Sequence, residues 1–535
     1  MLGENKEMQI AWFKGGDVDA TIGVFFDGFT KILVGVSILS GVMAMPNDII
    51  FGKIVSSIGF TAFLLLAFNT FYARYLGRKM GNPEITAMPA GVSGGTFFVW
   101  LFAIMMPTYF ASGDALYAWK VAVNVNILYS VIIIAFAFII KFIMKHVPNQ
   151  AMLGGVVGGS MAYLLIGAMG DGFAHPLIIL VTLFVLLFFN FGKIKPKFFS
   201  PAFIAVGLGT IVAWVTGVMK PETFMASFAT TGLYIPLPQI GLLGGEAFQG
   251  ALAFLPLILA FAFSDVTALL QGLEQAVQSG EKFDQKTSLL ATGLCNFIGT
   301  LFGNPFPVNM YWGHPAWKKA KAGASYPLFT GAIYLILCVT GLVAIATSAI
   351  PSSATLVLLV FVAIMTGAQA FEVVEKKYYP AMIVATAIPI FELIYGKVSN
   401  GISAASNAIG DALTSGGIDF DVSSVAVNSS YLAKAGVANG YFDMSKGSML
   451  IAIIFACVII FMIDRKWINA SVTFLVASAC SFVGLIHGAN VEFNAAPLYT
   501  GTYLAFAVAF IIIKILSKNM PGLQPEEEIR SVQEA

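Results

Sequence analysis

Long apolar runs recur along this 535-residue chain and limit what it can fold into. Each run spans about 17–25 residues, enough to cross a hydrocarbon layer of about 30 Å as a helix. The runs between polar breaks number about sixteen, the first near 21–45 and the last near 497–516. Hydrophobic residues form 58% of the chain and charged residues 11%, against roughly 45–50% and about 25% in soluble domains. We therefore predict an all-α polytopic membrane protein.

Lysine and arginine fall in alternate turns between the predicted spans, for example at 74–79, 193–197 and 318–321. Because positive residues concentrate on the cytoplasmic side, both termini are predicted to be cytoplasmic, in the cell inner (plasma) membrane. The connection 397–446 is rich in Ser, Ala, Asn and Gly and has few basic residues, so it is predicted to be an external loop. The net charge of +1 offers no basic surface for nucleic acid. The lipid bilayer is the expected surrounding.

Two predicted spans, the third (87–107) and the tenth (304–320), contain prolines and glycines where a simple span would not. Between Met88 and Phe98 one proline is followed by three glycines, and between Gly303 and Pro315 two prolines stand two residues apart. Proline lacks a backbone N–H and glycine lowers helix propensity. Both segments are predicted to begin extended before a helix starts, near Ser93 in the first case.

Each interruption is third in a run of seven spans, and an odd number of helices per repeat forces the second copy to be inverted. Paired interruptions mark transporter sites, since non-helical backbone at membrane depth must be buried in protein or line a cavity. Two half-helix N-termini are expected to face each other there and to offer N–H donors to a substrate. The alternative is that these prolines and glycines only kink packed helices.

One acidic residue, Asp265, lies well inside the eighth span, remote from either loop. A carboxylate at that depth is costly unless it is protonated, paired or facing water, so it is predicted to be functional. It would accept hydrogen bonds from a substrate or carry a coupling proton; the alternative is an acid bonded to backbone at a helix break. Asp27 and Lys31, one turn apart in the first span, are interpreted as a local ion pair. No Arg or Lys is expected at depth near the interrupted segments.

A membrane enzyme or metal site would need a cluster, such as paired histidines at helical spacing, a serine with a base, or several carboxylates on facing helices. The sequence contains no such pattern. We therefore expect neither catalysis nor a metal or cofactor.

Three motifs resemble the nucleobase-ascorbate (xanthine/uracil) permease family, nearest its hypoxanthine/guanine-type branch. They are Phe263-Ser264-Asp265-Val266-Thr267, Gly299-Thr300-Leu301-Phe302-Gly303 and Val308-Asn309-Met310-Tyr311. The resemblance implies a 7+7 inverted-repeat transporter fold with short strands in spans 3 and 10, here followed by about two extra C-terminal helices. It also implies that Asp265 contacts a base and that Tyr311 is the aromatic of the tenth span. The family usually has a glutamate two positions after that aromatic, where this chain has Gly313.

The resemblance further implies a core domain that moves against a gate domain. The predicted division is an N-terminal tail (1–19), core (20–145 and 246–350), gate (150–218 and 353–464, with the external loop 397–446), two extra helices (465–517) and a C-terminal tail (518–535). Related proteins are often homodimers through the gate.

The leading hypothesis is proton- or sodium-coupled uptake of a nucleobase-like purine or pyrimidine by alternating access. The predicted substrate-binding residues are Asp265, which also carries the proton coupling, Ser93, Thr96, Asn304, Asn309, Tyr311, Trp312 and His314. One alternative is a transporter of a small anion, such as sulfate, bicarbonate or a carboxylate, on the same fold. Another is a channel or a non-transporting membrane scaffold.

Overall fold

The computed structural model describes residues 9–194, 196, 201–311, 313–418, 434, 436–517 and 519–524. Several predicted features lie wholly or partly outside the described residues: the site residue Trp312, residues 1–8 of the N-terminal tail, 419–433 and 435 of the external loop, and 518 and 525–535 of the C-terminal tail.

The first half of the chain forms the helices of the first seven predicted spans. They are α1 (Gly16–Gly41), α2 (Asn47–Met80), α3 (Gly94–Ser112), α4 (Ala115–His146), α5 (Asn149–Gly172), α6 (Pro176–Phe191) and α7 (Pro201–Val215). Wider π-type turns interrupt α2, α3 and α5 at Ile50–Val55, Trp100–Met105 and Ser160–Gly167. Proline begins α6 and α7, where its fixed φ suits the first helical position.

The second half repeats this series. Its helices are α8 (Leu255–Gln278), α9 (Gln285–Leu301), α10 (His314–Lys319), α11 (Tyr326–Val339 and Leu342–Ala349), α12 (Ser352–Val373), α13 (Tyr379–Ser415) and α14 (Ser448–Ile463). Two short helices, Pro221–Ser227 and Gly245–Leu252, precede α8. Asp284 caps α9 by accepting a 2.8 Å hydrogen bond from the Thr287 N–H.

Three features of this half differ from the sequence prediction. The two pieces of α11 meet at 86°, where Gly341 adopts φ 69°. Helix α13 continues to Ser415, so the first part of the predicted external loop is helical. A further short helix, Asn439–Ser445, meets α14 at 85°.

Two three-residue strands join the halves of the chain. Strand β1 (Ala90–Val92) pairs antiparallel with β2 (Val308–Met310), with Gly91 opposite Asn309. The pairing continues past the strand ends, because Ser93 N–H donates to the Pro307 carbonyl at 3.0 Å. All six strand residues are buried. Short strands in spans 3 and 10 are thus confirmed, and α3 begins at Gly94, next to the predicted Ser93.

The two extra helices, α15 (Trp467–Phe482) and α16 (Pro497–Ser517), pack on each other and on α14. The Phe474 ring stacks on Phe506 and Phe510, and the Ser471 hydroxyl donates a 2.7 Å hydrogen bond to the Ala507 carbonyl. Residues of α5, α13, α14, α15 and α16 share one apolar cluster, separate from the larger cluster around the strands.

The described residues include nine helices long and apolar enough to cross a membrane, or eleven if each bent pair forms one span. Three shorter apolar helices, α6, α7 and α15, accompany them. The chain is a multi-pass membrane protein.

Candidate functional site

The buried carboxylate of Asp265 accepts hydrogen bonds from three hydroxyl groups. Ser93 Oγ lies 2.9 Å from Oδ1, and Thr96 Oγ1 and Tyr129 Oη each lie 2.7 Å from Oδ2. Ser93 and Thr96 belong to the start of α3, and Tyr129 belongs to α4. Hydroxyl donors can satisfy a buried carboxylate without a counter-ion. Among the described residues, no lysine, arginine or histidine lies within ion-pair distance of Asp265.

Asn309 ties the strand pair to α8. Its side-chain amide donates a 2.9 Å hydrogen bond to the backbone carbonyl of Asp265. The same strand is held from α9, where the side chain of Asn296 bonds both the N–H and the carbonyl of Val308, at 2.8 and 2.7 Å. The backbone of the tenth segment is therefore satisfied by side chains at a depth where water is scarce.

A cavity of about 330 Å³ opens beside these residues. We call it the central cavity. One wall combines α1, the first turn of α3, α8 and the tenth segment; the opposite wall combines α5 and α12. Its lining residues are Asp27, Thr30, Lys31, Ser93, Gly94, Gly95, Thr96, Val156, Gly159, Ser160, Leu164, Phe261, Ser264, Asp265, Ala268, Asn309, Tyr311, Leu358, Leu359, Val362 and Thr366. Apolar walls with a few convergent polar groups are typical of small-molecule sites.

Lys31 brings a positive charge to the central cavity. Its ammonium forms the expected ion pair with Asp27, at 2.6 Å, and lies 3.3 Å from the carbonyl oxygen of Val92 at the end of β1. A Cβ atom added to Gly94 would lie 3.7 Å from Lys31 Nζ, so the ammonium contacts the first turn of α3. The expectation that no lysine approaches the interrupted segments is therefore wrong, because α1 packs against β1.

The N-terminus of α3 also faces the central cavity, through Gly94, Gly95 and Thr96. The first N–H groups of a helix have no partner inside the helix and carry partial positive charge. The tenth segment differs: α10 begins at His314, and the preceding Gly313 N–H donates to Gln275 Oε1 at 2.9 Å. Among the residues that the structure describes, one half-helix N-terminus, that of α3, lines the central cavity, and the expected facing pair is not present.

Five of the predicted site residues line the central cavity together: Ser93, Thr96, Asp265, Asn309 and Tyr311. Two others lie elsewhere. Asn304 donates to Thr61 Oγ1 at 2.9 Å and accepts from the Phe306 N–H, so it fixes the backbone before β2. The buried His314 lies 2.7 Å from Glu281 Oε2, away from the cavity lining.

Tyr129 and Lys31 are the site residues that sequence reasoning missed as ligands. Tyr129 is one aromatic among many in an apolar helix, and no local pattern separates it from a packing residue. Lys31 is a charged residue inside a predicted span, which is a sign of function. A local ion pair with the nearby Asp27 explained its presence equally well. Among the described residues, no three His, Cys, Asp or Glu side chains are placed to hold a metal ion.

No protein-family model and no curated protein sequence matches the chain. Solved structures do match it. The transmembrane domain of a cyanobacterium bicarbonate transporter, BicA, matches with a TM-score of 0.50 at 14% identity, over 73% of this chain and 96% of that chain. SLC26A9 matches with a TM-score of 0.50 at 13% identity, over 72% of this chain and 65% of that one. The chain has the 7+7 inverted-repeat transporter fold.

A murine SLC26A9 structure, described as an anion transporter in the inward-facing state, matches with a TM-score of 0.44 at 14% identity, over 76% and 74% of the two chains.

The predicted assignment to the nucleobase-ascorbate permease family is wrong, because no family model matches and the structures that match include BicA and SLC26A9. The short strands that the resemblance implied are compatible with the 7+7 fold that both groups of transporters share. Position 313, where that family usually has glutamate, adopts φ 114°, a conformation that glycine takes without strain. A glutamate there would be strained.

Proposed function

We propose that this chain is a secondary transporter that carries a small anion, such as bicarbonate, sulfate or a carboxylate, by alternating access. The observation that carries the proposal is the Lys31 ammonium beside the first turn of α3 in the central cavity. A lysine and a helix N-terminus that converge on one cavity form an anion site, since both supply positive charge and N–H donors. The similarity to a bicarbonate transporter supports the same substrate class.

The charges in the central cavity also support coupling to a cation. The Lys31 ammonium contacts Asp27 at 2.6 Å, whereas no cationic side chain among the described residues forms an ion pair with the Asp265 carboxylate. That charge repels an anion unless a proton or a cation neutralises it. We infer that H⁺ or Na⁺ binds at Asp265 together with the anion. The coupling ion then removes the repulsion between the Asp265 carboxylate and the anion.

The cavity walls support a rocking movement. Core spans (α1 to α4 and α8 to α11) would supply α1, α3, α8 and the strands, and gate spans (α5 to α7 and α12 to α14) would supply α5 and α12. Movement of one group against the other would expose the cavity to each side in turn. We also propose that the protein forms a homodimer through the gate domain. It lies in the inner membrane with both termini cytoplasmic.

The deciding experiment is uptake into proteoliposomes that contain the purified full-length chain. Labelled bicarbonate, sulfate, a small carboxylate and a purine are compared, with and without inward H⁺ and Na⁺ gradients. We expect saturable uptake of one anion class, stimulated by one of the two gradients. Lys31→Gln removes a charged partner worth about 1.5–3 kcal/mol, which weakens apparent affinity roughly ten- to hundredfold.

The matched control is Lys220→Gln, at an exposed lysine before the short helix Pro221–Ser227. It should transport as the unchanged protein does. Purine uptake without anion uptake, or anion uptake that Lys31→Gln leaves unchanged, would overturn the proposal.

A further inference from the structure

A second cavity, of about 290 Å³, lies away from the central cavity. We call it the peripheral cavity. It is enclosed by α3, α5, the start of α8, α13, the break before α14 and the turn 484–491 between α15 and α16, and it shares no lining residue with the central cavity. Its volume suits a ligand of a few heavy atoms.

Glu392 brings a carboxyl group to the peripheral cavity. It lies in α13, is half-buried, and accepts a hydrogen bond from the Ser448 hydroxyl. In the described part of the chain, no cationic side chain comes within 4.0 Å of its carboxylate.

Lys446 brings an unpaired positive charge to the same cavity. It stands in the short break between the helix Asn439–Ser445 and α14. Its ammonium lies over the rings of Phe442 and Tyr395, 5.2 and 5.9 Å from their centroids, and these cation–π contacts hold it in place. Over the described ranges, no carboxylate forms an ion pair with it.

The other charged pair of the cavity is already satisfied, since Lys397 bonds Asp171 at 2.7 Å. Tyr163 also lines the cavity. It is 3% exposed, and its hydroxyl lies beside the Glu392 carboxyl group.

The extra helices complete this cavity. Gly484, Gly488 and residues 489–491 form part of its lining. His487, within this turn, fixes it in place: its Nδ1 lies 3.0 Å from the Asp443 carbonyl, its Nε2 lies 2.7 Å from Tyr503 Oη, and its ring stacks on Tyr499 with 4.0 Å between centroids. The connection between α15 and α16 therefore forms part of the wall of the peripheral cavity.

We propose that the peripheral cavity binds a small zwitterion of the α-amino acid type, with its carboxylate on Lys446 and its ammonium on Glu392 and the Tyr163 hydroxyl oxygen. Two opposite charges that face one cavity beyond ion-pair distance can be bridged by a ligand that carries both charges. A simple anion would meet the repulsion of Glu392, and a simple cation that of Lys446. The site is separate from the anion site proposed in the central cavity.

The test is isothermal titration calorimetry on the full-length protein in nanodiscs, with glycine, acetate, methylammonium and bicarbonate as separate ligands. Glycine should bind at least tenfold more tightly than acetate or methylammonium. Lys446→Gln and Glu392→Gln should each weaken glycine binding at least tenfold. The matched controls, Lys220→Gln and Glu246→Gln, change exposed residues and should bind glycine normally.

Lys31→Gln separates the two sites, since it should leave glycine binding unchanged while it impairs anion uptake. If Lys446→Gln or Glu392→Gln fails to fold, the relative affinities of the four ligands for the unchanged protein still test the proposal. Glycine binding no tighter than acetate binding, binding that both cavity variants retain, or binding lost in Lys31→Gln would each overturn the proposal.

Discussion

The side-chain amide of Asn309 donates a 2.9 Å hydrogen bond to the backbone carbonyl of Asp265. This bond joins β2 to α8 at the residue whose carboxylate faces the central cavity. Because Ser93, beside β1, also bonds that carboxylate, both halves of the strand pair converge on one aspartate. A change in the strand pair therefore alters the position of Asp265.

Asp265→Asn should separate anion binding from coupling. The amide has the same shape but no charge and no titratable proton, so it cannot take up H⁺ and attracts Na⁺ weakly. We expect gradient-driven accumulation to fall to the level of vesicles without a gradient, while anion exchange is kept or becomes faster. The measurement compares gradient-driven uptake with counterflow, using Asp19→Asn, at an exposed acid, as the control. Accumulation that still follows the gradient in Asp265→Asn would contradict this role.

Tyr129→Phe should destabilise the protein without changing its shape. It removes the 2.7 Å hydrogen bond to Asp265 Oδ2, and a bond to a charged group contributes about 1.5–3 kcal/mol. We expect a lower Tm in detergent, measured by intrinsic fluorescence. Tyr75→Phe, at a tyrosine that is 58% exposed, should leave Tm unchanged. Equal Tm values for the two variants would mean that the Tyr129 hydroxyl does not support the carboxylate.

Local chemistry explains which parts of the fold and site were predictable. Proline and glycine lower helix propensity, so both interruptions followed from the sequence, whereas the short strands followed from the family resemblance. An acid inside an apolar run is equally visible, which identified Asp265. Because a helix was expected to start near Ser93, Ser93 and Thr96 were predicted as site residues.

The unpredicted parts depend on packing between distant spans. Lys31 and Val92 meet only because α1 lies against β1, and Tyr129 reaches Asp265 only because α4 lies beside α8. Asn304 and His314 are polar residues on an interrupted segment, where substrate-binding residues are expected. In the structure Asn304 bonds Thr61 and His314 contacts Glu281. The family assignment was wrong because motifs of this kind do not separate families that share the 7+7 fold.

Gly158→Ala should destabilise the contact between α5 and α13. A Cβ atom at Gly158 would lie 2.5 Å from the Ala385 carbonyl oxygen and 2.9 Å from Pro389 Cγ, and this backbone has little freedom to move. Overpacking of this kind costs about 1–3 kcal/mol. Gly207→Ala, where no atom lies within 4 Å, is the control and should be neutral or slightly stabilising. A Tm unchanged by Gly158→Ala would show that α5 and α13 separate easily.

Glu281 organises the connection between α8 and α9, outside the spans. It is 1% exposed and bonds Lys318 Nζ, the Thr86 N–H at 3.0 Å and His314 at 2.7 Å. Burial acts to raise the pKa of Glu281, but the hydrogen bonds from His314 and Lys318, the His314 charge and the Thr86 N–H outweigh it and hold the pKa below its usual value. Such a carboxyl contributes stability above its unfolded pKa of about 4.3, and that contribution is lost as pH falls through the folded pKa.

We therefore expect Glu281→Gln to lower Tm at pH 7 and to reduce the loss of Tm that the unchanged protein shows below about pH 4.3. Glu274→Gln, at an exposed acid of α8, should keep the Tm and pH profile of the unchanged protein. Parallel acid profiles for Glu281→Gln and the unchanged protein would exclude Glu281 as the group that titrates.

The strand pair has a consequence for biogenesis. Strands of three residues do not persist alone, and Gly91 finds its partner Asn309 only after nine of the sixteen helices, α1 to α9, have been made. Until then the backbone before α3 is unpaired at a depth where water is scarce. The central cavity is thus a late product of synthesis, because a chain interrupted before the tenth segment lacks the strand that pairs with β1.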